Sequence, residues 1–289
     1  MGERRRAHRG CLRRGDRRLP PHRARLSRVT AVAFSELAGF VFDLDGCVWN
    51  GLVLNPGAGE ALAALHRAGR RLGFLSNNSR ATGRELRDRL HALGVTVAEH
   101  VLTPLEILGE VITERWGRSR VLVIGAREVE EAIVRAGHAV VDMNDWRTAH
   151  AVAVGNDFDL TYERLTAAAR VAAATGRLVT PNVDPRLPIE NGEFLPGCGA
   201  IVKAVAVAAG VEPVIVGKPE PPLFRIALER LGLPASKVAM VGDSVASDIV
   251  GARGVGMPTV LYAPQRGGTA TAADAVVRSF AELARLAGI

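Results

Sequence analysis

Long apolar runs are missing from this chain: none approaches the ~20 residues a membrane-spanning helix needs, so no membrane partner is expected. Cysteine is scarce. Cys11, Cys47 and Cys198 form no Cys-x-x-Cys pair and no zinc-ligand spacing, which excludes a disulfide scaffold and a zinc ribbon and fits a reduced, cytoplasmic setting. Lysine is scarcer than its chemistry would suggest in a basic protein, with only Lys203, Lys218 and Lys237 among 289 residues, so a lysine here is expected for its chemistry rather than its charge. The Gly-x-Gly-x-x-Gly fingerprint is absent after the first apolar run, which removes a dinucleotide-dependent oxidoreductase.

A basic body is missing too, despite the net charge of +7. Residues 1–28 hold eleven arginines against Glu3 and Asp16, more positive charge than the whole chain carries, so the remainder is slightly acidic. The segment has neither a helical apolar stripe nor the apolar core of a secretory signal. Residues 1–33 are therefore expected to be a disordered, dispensable arm. Nucleic-acid binding would rest on that arm alone and is not expected of the folded body.

What the chain does have is alternation. Short apolar runs of strand length (Gly39–Asp43, Arg71–Ser76, Pro213–Gly217, Val238–Asp243, Pro258–Ala263) are separated by amphipathic stretches of helical length, such as Pro56–Ala68, Gly83–Leu93 and Pro222–Leu231. That rhythm predicts an α/β fold with a parallel sheet. The block from Pro104 to Gly199 has its own strands and helices and is large enough to form a domain. The expected organisation is a Rossmann-like core from residues 38–103 and 200–289, with an α/β unit inserted at 104–199.

In open parallel sheets the ligand crevice lies beyond the carboxyl ends of the strands. Four apolar runs end there in polar groups: Asp43 and Asp45, Ser76 and Asn77, Lys218, and Asp243 followed by Asp248. Each alone is an ordinary turn or helix cap; together they make a site. Residues two apart in an extended chain point the same way, so Asp43 and Asp45 are expected to share one space. Converging carboxylates call for a hard cation with oxygen ligands, and Mg2+ suits a sparse carboxylate site that keeps room for water and a phosphate oxygen. Lys218 and Ser76 would face the other side of that phosphate. Asp43 is then the candidate nucleophile, forming an aspartyl phosphate, and Asp45 the candidate acid and base.

The motifs Asp-Leu-Asp-Gly at 43–46, Ser-Asn-Asn-Ser at 76–79, Gly-Lys-Pro at 217–219 and Gly-Asp-Ser-Val-Ala-Ser-Asp at 242–248, in that order, resemble the four motifs of haloacid dehalogenase-like phosphatases. The Ser-Asn-Asn-Ser and Gly-Lys-Pro-Glu-Pro forms, with a large insert between them, are similar to the NagD-like subgroup, which includes para-nitrophenyl phosphatases and phosphoglycolate phosphatase. The resemblance implies a magnesium-dependent phosphatase of small phosphate monoesters. It implies Ser76, Asn77 and Lys218 at the phosphate. It implies Asp43, Asp243 and the Asp45 carbonyl at the metal, with Asp248 supporting that shell. The insert would be a cap over the site, whose loop 182–191 reaches toward substrate. Cys47 and Ser247 stand where the family usually has threonine; neither is a proposed catalytic residue.

At the ends of cap elements, Asn156, Asp184 and Arg186 are candidates for contact with the leaving group, and Arg186 would favour an anionic one. The expected partner is a small-molecule phosphate ester, and a cap surface is a candidate homodimer contact. The competing reading is a phosphate- or nucleotide-binding sensor that does not turn over. The Asp43–Asp45 pair argues against it, because a binder needs no acid or base.

Overall fold

In the computed structural model the described residues are 33–189, 193–265 and 272–289; what the sequence suggests for residues 1–32 lies outside them. In chain order the elements are β1 (Gly39–Asp43), β2 (Trp49–Asn50), β3 (Val53–Leu54), α1 (Ala58–Arg67), β4 (Arg71–Leu75), α2 (Gly83–Ala92), β5 (His100–Leu102) and α3 (Pro104–Trp116). These are followed by β6 (Arg120–Ile124), α4 (Arg127–Arg135), β7 (Ala139–Val141), β8 (Ala151–Val154), α5 (Tyr162–Thr175) and β9 (Leu178–Thr180). Then come β10 (Arg186–Pro188), β11 (Phe194–Pro196), α6 (Cys198–Ala209), β12 (Val214–Ile215) and α7 (Pro221–Leu231). The chain closes with β13 (Val238–Gly242), α8 (Val250–Gly254), β14 (Thr259–Tyr262), β15 (Ala275–Val277) and α9 (Phe280–Leu286).

Two parallel sheets organise these elements. The first runs β15-β14-β13-β1-β4-β5 and the second β12-β9-β8-β6-β7. β1 lies inside the first sheet, buried along its whole length, which is why its sequence is continuously apolar. Its side chains still alternate. Phe40 stacks on Phe42 and Phe42 on Phe74, toward α1, α2 and α9, while Val41 faces α7 and α8. Each of those buried rings contributes about 1.5–3 kcal/mol by leaving water.

The apolar cluster on the Val41 side continues without interruption through Leu105, Leu108 and Ile112 of α3 and Val129 and Ile133 of α4 to Val121 and Val123 of β6. The opposite face of the second sheet is covered by α5 and α6. The inserted unit therefore shares its packing with the core around α3 rather than hanging on two bare linkers.

One sequence-based boundary moves. The run at 213–217, expected in the first sheet, forms β12, which pairs Val214 with Val179 and Ile215 with Thr180 at the edge of the second. The second sheet thus ends only at Ile215, not at 199, and residues 200–215, expected in the core, belong with α6 and the insert. A two-residue edge strand carries no pattern that says which sheet will take it. The loop expected at 182–191 includes β10, which pairs antiparallel with β11. The short edge strand β5 and the terminal strand β15 had no clear sequence signal.

Candidate active site

Asp43 is the last residue of β1 and pairs in register with Leu75, the residue before Ser76. The loop after β1 turns back at once. Val48 and Trp49 N–H both donate to the Leu44 carbonyl, and Gly46 N–H donates to the Trp49 carbonyl. Gly46 is required here on two counts. Its φ is +88°, and a Cβ would lie 2.2 Å from Asp243 Oδ2.

The Lys218 ammonium donates to Asp43 Oδ1 and, at 2.7 Å, to Asp248 Oδ1, with all three side chains buried. Asp243 completes the cluster: carboxylate oxygens of Asp43, Asp243 and Asp248 lie within 4.8 Å of one another. Asp248 is set by the π-helical turn Val245–Ile249, where its Oδ2 accepts from Ser244 N–H at 3.1 Å. A Cβ on Gly242 would lie 2.3 Å from that oxygen, so the close approach needs glycine.

Electrostatics follow from this crowding. Burial pushes the Asp43 carboxyl well above its ordinary value; Lys218 opposes that, while Asp248 and Asp243 add to it. Asp243 is raised by burial and then by Asp248. For Lys218, burial alone would lower the ammonium's pKa, but Asp248 and Asp43 outweigh it and the group titrates above its usual value. Three clustered carboxylates beside one ammonium leave excess negative charge at the end of β1, which a divalent cation would neutralise. The donor set fits magnesium: oxygen ligands only, closely spaced, with the glycines at 46 and 242 letting the Asp243 and Asp248 carboxylates press against the backbone.

The Asp45 carboxylate is not in that cluster. It is the more exposed of the pair, held by Trp49 Nε1 at 2.9 Å on Oδ1 and by Ser76 Oγ at 3.3 Å on Oδ2. Trp49 is fully buried, and the Arg89 guanidinium lies over its ring at 4.4 Å. Sequence reasoning missed Trp49; a tryptophan four residues after an aspartate was the available signal.

Lys218 does not arrive as expected. It follows β12 of the second sheet, not a strand of the first, and is joined to Pro219 by a cis peptide bond. Its backbone is fixed by Asn77, whose Oδ1 accepts from Lys218 N–H at 2.8 Å and whose Nδ2 donates to the Lys218 carbonyl at 2.9 Å. The Asn77 side chain, expected at the phosphate, is therefore committed to positioning the lysine. Asn182 Nδ2 donates in turn to the Asn77 carbonyl at 2.7 Å, tying in the loop after β9.

The cap candidates separate. Asn156 is buried at the seam between the sheets, where its Nδ2 donates to Ser79 Oγ at 3.4 Å; Ser79 also contacts Cys198 Sγ at 3.4 Å. Asn156 thus joins the two units. Asp157, beside it, is paired with Arg164 at 2.8 Å. Asp184 sits in the field of Lys218, its carboxyl raised by partial burial against that cation's pull. Arg186, on β10, lays its guanidinium over the Phe194 ring at 4.2 Å.

A parallel α/β sheet with this constellation at its carboxyl rim defines a class of phosphoryl-transfer hydrolases, and comparison with known proteins agrees. Residues 40–139 match the family model for haloacid dehalogenase-like hydrolase, and residues 215–283 match a second, HAD-hydrolase-like model. The chain is 34% identical over 264 residues to glycerol-3-phosphate phosphatase of Homo sapiens, covering 82% of each. It is 34% identical over 222 residues to acid sugar phosphatase of Staphylococcus aureus strain MRSA252, covering 76% of this chain and 84% of that one. The crystal structure of 4-nitrophenylphosphatase from Thermotoga maritima superposes with a TM-score of 0.78 at 28% identity, over 88% of this chain and 99% of the other. The chain belongs to the haloacid dehalogenase-like hydrolases, in the NagD-like subgroup, and is a phosphoric monoester hydrolase. No helix among the described residues is long and apolar enough to cross a membrane.

Proposed function

We propose that this chain is a magnesium-dependent phosphatase of small phosphate monoesters that works through an aspartyl phosphate on Asp43. One observation carries the reading: the Lys218 ammonium lies between Asp43 and Asp248, with Asp243 beside them, just past the end of β1. Asp43, Asp243, Asp248 and the Asp45 main-chain carbonyl are the groups that would hold Mg2+, which when bound shields the negative oxygens of the phosphate.

Asp43 attacks phosphorus through a carboxylate oxygen, and the bond from phosphorus to the ester oxygen breaks. Asp45, oriented by Trp49 and Ser76, gives its proton to the departing oxygen. Asp45, now ionised, takes a proton from the water that attacks the aspartyl phosphate. Phosphate leaves, and Asp43 is restored. Lys218 and the Ser76 hydroxyl neutralise and orient the phosphate, with Asn77 locking the lysine's backbone. Residues from Pro104 to Ile215 act as the cap, with Asp184 and Arg186 near the leaving group. Its relatives' named substrates, a glycerol phosphate and acid sugar phosphates, make small phosphorylated polyols and sugars the first compounds to try.

The test is phosphate release from a panel of small phosphate esters with magnesium, run beside Asp43→Asn. Turnover should fall on the order of 10^4-fold or more in the variant, because removing a covalent nucleophile leaves only positioning and charge stabilisation. Equal turnover would remove Asp43 from the mechanism. Phosphate binding without release from any ester would favour the sensor reading instead.

A further inference from the structure

The opposite end of the first sheet holds a second concentration of charge that the proposed reaction does not use. At the amino ends of β4 and β5 there is a cavity of about 290 Å³ lined by His66 in the last turn of α1, Arg70 after it, Arg71 and Leu72 of β4, Glu99 and His100 at β5, and Arg230 near the end of α7. Strands of this length put it roughly 15 Å from Asp43, at ~3.3 Å per residue. Its volume lies near the lower end of the range for small-molecule sites, about 300–1,000 Å³.

We infer that this cavity is a binding site for a compact phosphate-bearing small molecule, separate from the catalytic crevice. Three arginines and two histidines, from four different elements, line it against the single carboxylate of Glu99. Among the described residues, none of Arg70, Arg71 and Arg230 makes an ion pair with a carboxylate. Arg70 donates to the Leu37 and Ser35 carbonyls and Arg71 to the Leu231 carbonyl. Peptide carbonyls satisfy hydrogen bonds and fix the guanidinium planes, but they cancel no charge.

An anion would balance that charge. Phosphate groups match the forked donors of arginine. A concave pocket of this size selects a small ligand over a polymer or a membrane surface, each of which needs an extended face. The site also touches the catalytic apparatus through one rigid element, since α7 starts just after Lys218-Pro219 and ends at Leu231, where Arg71 is bound.

The experiment is a titration of the metal-free full chain with inorganic diphosphate, followed by backbone amide NMR. The expected result is a set of shifts at Gly69–Leu72, Glu99–His100 and Arg230–Leu231, saturating independently of any at Ser76–Asn78. The double variant Arg230→Gln/His100→Gln should weaken that set about tenfold or more, the loss of one charge-assisted contact being worth roughly 1.5–3 kcal/mol. Its hydrolysis of 4-nitrophenyl phosphate should be unchanged. If the double variant does not fold, Arg230→Gln alone, at an exposed position, decides the matter. Shifts confined to Ser76–Asn78 and Gly242–Ser244, or unchanged affinity in a folded variant, would overturn the site while leaving the phosphatase reading intact.

Discussion

Two aspartates two positions apart receive different surroundings, and that difference is what would let them take the two roles proposed for them. Asp43 is buried against a lysine and two further carboxylates; Asp45 stands more open, with an indole N–H on one oxygen and a serine hydroxyl on the other. A nucleophile needs to be held rigidly beside its cation, whereas an acid and base must exchange protons with an ester oxygen and then with water. Trp49 is the residue that enforces the orientation of Asp45. Trp49→Phe keeps a large buried ring and removes only the N–H. The expected outcome is a fall in kcat of about tenfold, the size of one lost hydrogen bond to a charged group, with KM little changed and the melting temperature nearly so. Steady-state kinetics and a thermal melt measure both; an unchanged kcat would show that Ser76 alone suffices.

Among the elements, the junctions matter more than the strands. Glu106 in the first turn of α3 accepts from Thr103 N–H and Oγ1 through one oxygen, closing a capping box. Its other oxygen accepts from Gly83 N–H at the start of α2. A Cβ on Gly83 would lie 2.2 Å from the Val101 carbonyl oxygen, so α2 is pressed against β5 where Glu106 reaches it. One carboxylate therefore serves two helix starts at the point where the chain leaves the first sheet for the insert. Glu106→Ala should cost about 1–3 kcal/mol by urea unfolding, the range for losing a cap and leaving a donor unpaired. A loss within ±0.5 kcal/mol, typical of an ordinary surface site, would show that the two helices do not depend on it. The same scale explains how Lys218 is delivered. β12 belongs to the sheet of the insert, and Asn77, from the core, grips the lysine's backbone from the other side. The ammonium beside Asp43 is thus held across the seam between the two units.

For the molecule as a whole, the excess negative charge around Asp43 would make a bound cation part of its stability. Saturating magnesium should raise the melting temperature, because a ligand that binds only the folded state at about 100 times its Kd adds about 2.7 kcal/mol. Asp243→Asn should abolish most of that rise while itself melting at a temperature close to the metal-free parent, since it removes one of several repelling carboxylates. A magnesium-dependent rise of equal size in the variant would place the ion elsewhere. The readout is calorimetric and does not depend on finding the substrate.

The sequence by itself determined the alternation of strands and helices, the parallel sheet, and the acidic strand ends at 43, 45 and 243, because continuous burial and helical periodicity are written locally. It also carried Asp248 and Lys218 as members of the site, since their motifs are short and contiguous. What only the tertiary structure decided were the relations that no local pattern encodes. β12 joins the second sheet because two apolar residues suit either edge. The Asn77 and Asn156 side chains reach Lys218 and Ser79, which lie 141 and 77 positions away. Trp49 meets Asp45 because the chain folds straight back after Gly46, and the basic cavity exists only because β4, β5, α1 and α7 end at one place. Pairing energies between distant segments depend on geometry after folding, and composition cannot report them.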